Sequence, residues 1–203
     1  MARVRGVVMR NKPPMADDDD DFERIRLGEI ALAGQDLTLL TPEESGAIRA
    51  YALNLFQLIN DALWGHAPMT PFLERYISLI RSGLAKYPLT EPVRVTRESE
   101  AALYGIVDEE SAYALVEEQF THEGFMSTCG LEYPPRSMRH RDPVILDLVV
   151  PAGIPALRLG ELATVRAERE VLLIDARSYY IVGVDWDVAR NMWRIQAFVT
   201  GGV

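Results

Sequence analysis

The stretch Arg166-Ala167-Glu168-Arg169-Glu170-Val171-Leu172-Leu173-Ile174 constrains the fold more than any other part of the chain. Its apolar end is too short for a lone helix and has the length of a buried strand. Two acids, two residues apart, stand at the entrance to that run. Side chains of a strand repeat every second residue, so an extended Glu168 and Glu170 would lean to the same side. Like charges that close are screened cheaply by water; in a cleft they need a cation, a sugar hydroxyl or a shared proton between them. Taken alone, the stretch reads as an exposed turn leading into a strand, and the remainder of the chain has to decide.

A chain of 203 residues is enough for one domain with a substantial core. The net charge of -9 does not come from the conspicuous aspartate run, because Asp17 to Asp21 are nearly balanced by Arg3, Arg5, Arg10 and Lys12. The acidic excess belongs to the folded part, which disfavours nucleic acid as a partner, since phosphate-backbone binding needs a basic face. One anionic small ligand held by local arginines remains compatible with it. A single cysteine, Cys129, excludes an intrachain disulfide. His66, His122 and His140 are scattered, so no metal site is expected. No apolar run has the length of a membrane span. Arg3, Arg5 and Arg10 interrupt the N-terminus, which lacks the apolar core of a secretory signal, so a cytoplasmic location is expected.

Residues 1–22, with Pro13-Pro14 and five aspartates, read as a flexible acidic tail, and 23–203 as a single domain. Thr41-Pro42-Glu43-Glu44 predicts a helix start, with threonine as cap, proline at the first turn and glutamate closing a capping box. Ile48, Tyr51, Ala52, Leu55, Phe56, Ile59 and Leu63 then form one apolar face, with Arg49, Asn54 and Asn60 pointing elsewhere. Thr70-Pro71 starts a second helix with Leu73, Ile77, Ile80 and Leu84 on its buried stripe, ended by Tyr87-Pro88.

Val93-Arg94-Val95-Thr96-Arg97 alternates as a half-buried strand, turning Arg97 inward with Val93 and Val95. An inward arginine cannot shed its charge and must find an anion; a salt bridge is the plainest partner. Asp108-Glu109-Glu110-Ser111 caps a short helix to about Glu118, with Tyr113, Leu115 and Val116 as packing residues. Gly124-Phe125-Met126-Ser127-Thr128-Cys129-Gly130 reads as a short strand ending in hydroxyls. Tyr179 to Val184 and Trp193 to Val199 read as two closing strands around a loop from Asp185 to Asn191, with Trp193 and Phe198 in or near the core.

An arginine closing one strand, a Gly-Phe-x-Ser-Thr segment ending a second and a Glu-x-Glu entering a third, in that order, resemble the arginine-serine-glutamate class of ADP-ribosyltransferases. The resemblance extends from about Leu40 to Phe198. It takes in Glu44-x-x-x-Ile48-x-x-Tyr51, Leu84-x-Lys86-x-Pro88 and the strand and turn from Val144 to Gly153. Two positions and one loop depart from the family pattern. Glu98 stands where glycine usually follows the motif arginine, with Arg94 as the competing motif arginine. Cys129 replaces a third hydroxyl, and the loop Ala163 to Ala167 lacks an aromatic residue.

The resemblance implies an α+β fold, with N-terminal helices packed on a split mixed β-sandwich around an NAD cleft. It implies transfer of ADP-ribose from NAD, as substrate and without a metal, to a target protein, with arginine as acceptor, by a bacterial toxin, effector or phage enzyme. The catalytic residues it implies are Arg97, Ser127, Glu168 and Glu170, with Arg97, Ser127, Thr128 and Phe125 binding NAD. An NAD glycohydrolase and a catalytically degenerate binding protein of the same fold are the alternatives. Delivery into a target cell by a route needing no secretory signal, and a neutralising or immunity partner protecting the producer, are further expectations of this kind.

Overall fold

A computed structural model describes residue 22 and residues 24–137 and 140–200. The expected acidic tail lies outside them, except for Phe22, which is buried edge-on against Phe198 at 5.6 Å. Six α-helices occur among the described residues: α1 (Gly28–Ala31), α2 (Pro42–Ala50), α3 (Phe56–Leu63), α4 (Pro71–Leu84), α5 (Ala101–Tyr104) and α6 (Glu109–Tyr113). None is long and apolar enough to cross a membrane. The strands are β1 (Val93–Glu100), β2 (Gln119–His122), β3 (Met126–Cys129), β4 (Pro143–Val150), β5 (Ala156–Arg158), β6 (Glu170–Leu173), β7 (Arg177–Asp187) and β8 (Met192–Val199).

Helix starts follow the local chemistry. Thr41 Oγ1 accepts from Glu44 N while the Glu44 carboxylate accepts from Thr41 N, and Thr70 Oγ1 accepts from Leu73 N at the start of α4. Leu73, Ile77, Ile80 and Leu84 of α4 are all buried, each contributing about 1.5–3 kcal/mol through the water it sheds. The first helix departs from its predicted face. A single π-turn, Tyr51–Leu55, separates α2 from α3. Its extra residue rotates everything downstream: Ile48, Tyr51 and Ile59 are buried, but Phe56 is 40% exposed.

The strands lie in the order β2-β7-β8-β4-β1-β3-β6-β5. Neighbours are antiparallel except β4 and β8, which run parallel. β1 and β4 share eight registered pairs, whereas β1 and β3 share only Thr96↔Cys129. The sheet is therefore split into a five-stranded and a three-stranded half joined at one point. Val93, Val95, Leu146, Leu148, Ile181 and Ile195 of the larger half pack against Met126, Val171 and Leu173 of the smaller. The other side of the smaller half, Leu157 and Leu172, packs with Phe125 against α2, α3 and α4. The result is three layers. Burial on both sides explains why the run after Glu170 is continuously apolar.

Two further boundaries differ from the sequence reading. α6 stops at Tyr113; Leu115 is buried, but Tyr113 and Val116 are exposed, and the chain reverses at Glu117 (φ 74°) into β2. β7 runs on into the expected loop as far as Asp187 and β8 begins at Met192, with Asn191 at a left-handed φ of 55° in the turn between them. Cross-strand contact between Trp186 and Trp193, with centroids 5.1 Å apart, holds this extension. Trp193 is partly buried against the core.

Candidate active site

Arg97, Ser127 and Glu170 come together at the point where the sheet splits. Glu170 is the first residue of β6 and is 8% exposed. Ser127, on neighbouring β3, donates from Oγ to Glu170 Oε1 at 2.5 Å. Thr128 points the opposite way along β3 and donates from Oγ1 to Val171 O at 2.7 Å, fixing the two strands to each other. Arg97 Nη1 donates to the Ser127 carbonyl at 3.2 Å. Among the described residues no carboxylate lies within ion-pairing reach of Arg97, so the salt bridge that the sequence suggested is not formed. Burial pushes the Glu170 carboxyl up; the Ser127 hydrogen bond opposes this, the Glu168 charge adds to it, and the Arg97 charge opposes it.

Arg94 is engaged elsewhere. Strand alternation turns it away from Arg97, and it grips fully buried Asp147 through Nε at 2.9 Å and Nη2 at 2.7 Å. Arg194 shares Asp147 through Nη1 at 2.5 Å and also holds Asp187. Glu98, on the Arg94 side of β1, is likewise occupied. It accepts from Ser137 N at 2.8 Å, lies 3.1 Å from His140 Nδ1, and has Arg136 Nε 3.2 Å from its other oxygen. The acid after Arg97 thus anchors the loop between β3 and β4. The Cys129 thiol, pushed up by burial, accepts from Leu131 N at 3.4 Å.

Glu168 and Glu170 do not share a strand. Glu168 ends a 3-10 turn, Arg166–Glu168, and is exposed; Arg169 then takes a left-handed conformation (φ 49°) before β6 begins. The reversal at Arg169 ends the period-two alternation that an extended Glu-x-Glu would have. Glu29 holds this turn: its carboxylate receives Arg158 Nε and Nη2, both at 2.7 Å, and Arg169 Nη1 at 3.1 Å. Gly130 makes the approach of α1 possible, because a Cβ there would lie 2.4 Å from Glu29 N. A cavity of about 240 Å3 lies beside Glu170, lined among others by Glu29, Arg158, Glu161, Arg166 and Arg169.

Phe125 is fully buried in the helix-side core, edge-on to Tyr51 at 5.6 Å. The carbonyl accepts from Tyr51 Oη and Asn60 Nδ2, both at 3.1 Å, and has His122 Nε2 at 3.2 Å; Phe125 N donates to Asn60 Oδ1 at 3.0 Å. Sequence reasoning placed Tyr51 in the core and turned Asn60 away. Only the π-turn brings Asn60 round to Phe125, two residues before Ser127. Gly124 was the available signal, since a Cβ there would meet Asn60 Oδ1 at 2.6 Å. Burial, aided by the Arg97 charge and opposed by the Phe125 hydrogen bond, pulls the His122 imidazole down to about 4.

A family model described as ADP-ribosyltransferase exoenzyme matches residues 28–196. No curated protein sequence matches the chain. Among solved structures, the fold resembles Plx2a, an ADP-ribosyltransferase toxin from Paenibacillus larvae, at TM-score 0.71 and 23% identity, over 86% of this chain and 93% of that one. It also resembles the Clostridium limosum C3 exoenzyme, at TM-score 0.70 and 17% identity, over 90% and 94% of the two chains. C3stau2 from S. aureus, solved with NAD, gives TM-score 0.68 and 18% identity over 90% and 96%. These likenesses carry the split-sheet architecture, and the family model spans both α1 and the Glu-x-Glu turn; the chain belongs to the ADP-ribosyltransferase exoenzyme family.

Proposed function

We propose that the chain transfers one ADP-ribose from NAD to an arginine of a target protein, as a toxin or effector. The observation that carries this reading is the contact between Ser127 and Glu170 beside Arg97, which has no carboxylate partner among the described residues. A guanidinium held by a backbone carbonyl fits a diphosphate, which its planar fork grips through two oxygens.

Glu170 accepts from the ribose 2'-hydroxyl and places negative charge beside the ribose as positive charge develops there, a contact stronger in the transition state than before it. The bond from ribose C1' to the nicotinamide nitrogen breaks, and its electron pair leaves with nicotinamide. Ser127 fixes the Glu170 rotamer and the ribose, Thr128 keeps β3 in register, and the clamped Phe125 backbone sets the floor beneath the nicotinamide. Glu168, exposed on its turn, orients the acceptor guanidinium and takes its proton as nitrogen bonds to C1'. Water in the acceptor's place gives NAD glycohydrolysis, which needs Arg97, Ser127 and Glu170 but not Glu168.

Nicotinamide release from NAD, alone and with cell lysate, beside Glu170→Ala and Glu168→Gln, tests the reading. Wild type releases nicotinamide and labels lysate proteins on arginine, Glu170→Ala falls by about 100-fold or more, and Glu168→Gln loses labelling while retaining release. Release that ignores lysate and labels nothing makes the chain a glycohydrolase; no NAD binding makes it a binding module.

A further inference from the structure

We infer that Glu29, on α1, is a positioning residue for transfer: through Arg169 it holds the turn that carries Glu168, and so sets how much ADP-ribose reaches the acceptor protein rather than water. The inference rests on the reading of Glu168 as the residue that prepares the acceptor. Glu168 has no strand to fix it. It ends the Arg166–Glu168 turn and is exposed, and Arg169 follows at φ 49°. A left-handed residue other than glycine is disfavoured and persists only where its surroundings over-determine it. Here Arg169 is held by backbone and side chain together. Arg169 O accepts from Gly130 N at 2.9 Å, Gly130 O accepts from Glu29 N at 2.9 Å, and Arg169 Nη1 donates to Glu29 Oε1 at 3.1 Å. Among the described residues that last bond is the only one made by a side chain of residues 166–169.

Glu29 is itself fixed by β5. Arg158 reaches both of its carboxylate oxygens at 2.7 Å, and Arg158 N donates to Gln35 Oε1 at 2.8 Å while the Gln35 amide donates to Ala156 O at 2.8 Å. The carboxylate is thus anchored to β5 on one side and presented to Arg169 on the other. Glu170 has separate supports: its carbonyl accepts from Leu159 N at 2.9 Å, it pairs with Cys129 across β3 and β6, and its carboxylate accepts from Ser127 Oγ. Removing the Glu29 charge therefore loosens Glu168 and leaves Glu170 in place. Nicotinamide leaves in either case. Ribose C1' then bonds to the acceptor nitrogen, whose proton Glu168 takes, or to a water oxygen, whose proton goes to solvent. Cleavage and transfer separate at Glu29.

Nicotinamide release and labelling of lysate proteins from NAD, measured together on the full chain, test this in Glu29→Gln, Arg169→Met and the double variant. Glu29→Gln keeps the size and loses the charge. It releases nicotinamide within about threefold of wild type, while labelling per nicotinamide released falls about 10- to 100-fold, the scale for a reacting group displaced by about 1 Å. Arg169→Met gives the same split, and the double variant falls no further than either single one, because the two side chains form one contact. A labelling-to-release ratio that stays at the wild-type value, including an equal fall in both activities as a merely structural role gives, overturns the proposal while leaving the transferase reading intact. So do losses that add in the double variant, since Glu29 then does not act through Arg169. Wild type that labels nothing overturns both. If Glu29→Gln fails to fold, Arg169→Met, at an exposed side chain, decides by the same ratio.

Discussion

Ser127 Oγ and Glu170 Oε1 meet at 2.5 Å across neighbouring strands, with the hydroxyl donating, so the contact favours the ionised carboxylate. Burial outweighs it, and the carboxyl sits above its ordinary 4.5. In the proposed mechanism Glu170 acts ionised, so nicotinamide release should fall as pH drops through this raised value. In Ser127→Ala the acid limb of nicotinamide release moves to higher pH; in Glu168→Gln, which removes a like charge, it moves lower. The stability effect has the opposite sign. The folded chain binds this proton more tightly than the unfolded chain does, so ionised Glu170 costs stability at neutral pH and the cost is relieved on acidification. A pH–rate profile of the three proteins at saturating NAD checks the order.

His122 is held neutral, at about 4 against 6.5 for a free imidazole. Between those values the unfolded chain binds the proton and the folded one does not. Stability is therefore lost as pH falls from 6.5 to about 4 and levels off below, a loss of about 3 kcal/mol from this group. NMR titration of the ring should give a midpoint well below 6, and in His122→Gln this part of the acid destabilisation should vanish.

Asn60 accepts from the backbone N–H of Phe125 and donates to its carbonyl. Asn60→Ala leaves the buried Phe125 N–H without its partner, a loss of about 1–3 kcal/mol. Ser127 lies two residues on, so kcat should fall by about tenfold or more in molecules that remain folded. Urea denaturation and initial rates separate the two effects, and a variant with wild-type kcat would show that the clamp serves only the fold.

Asp147 is the shared anion of Arg94 and Arg194 on the face of β1 turned away from Arg97. Asp147→Ala leaves two buried guanidinium groups short of a partner, at about 3–5 kcal/mol. Below the lowered melting point, activity per folded molecule stays at the wild-type level. Thermal melts and rates at low temperature check both parts.

Legibility in the sequence followed the range of the interaction. The helix starts at Thr41 and Thr70 depend on groups within three residues and were readable directly. So was the strand of Arg97, whose alternation is local. β2 was invisible because Gln119–His122 owes its extended form to β7, some sixty residues later. The turn at Arg169 depends on Glu29, far back in the chain, so Glu168 and Glu170 looked like strand neighbours. Glu98 looked like a defect beside the motif arginine until the loop it anchors was placed against it. Resemblance supplied the order of the three motifs; the side-chain partners that hold them in place are long-range and had no local signature.

The π-turn at Tyr51–Leu55 makes residue count, rather than residue identity, the sensitive quantity in the first helix. Leu53 is 60% exposed and tolerates exchange for almost any helix-forming residue. Removing it is a different operation: a one-residue deletion lets the segment close into a regular α-helix, swings everything beyond it by about a quarter turn, and carries Asn60 off the Phe125 peptide. In this stretch a missing residue does more harm than a wrong one.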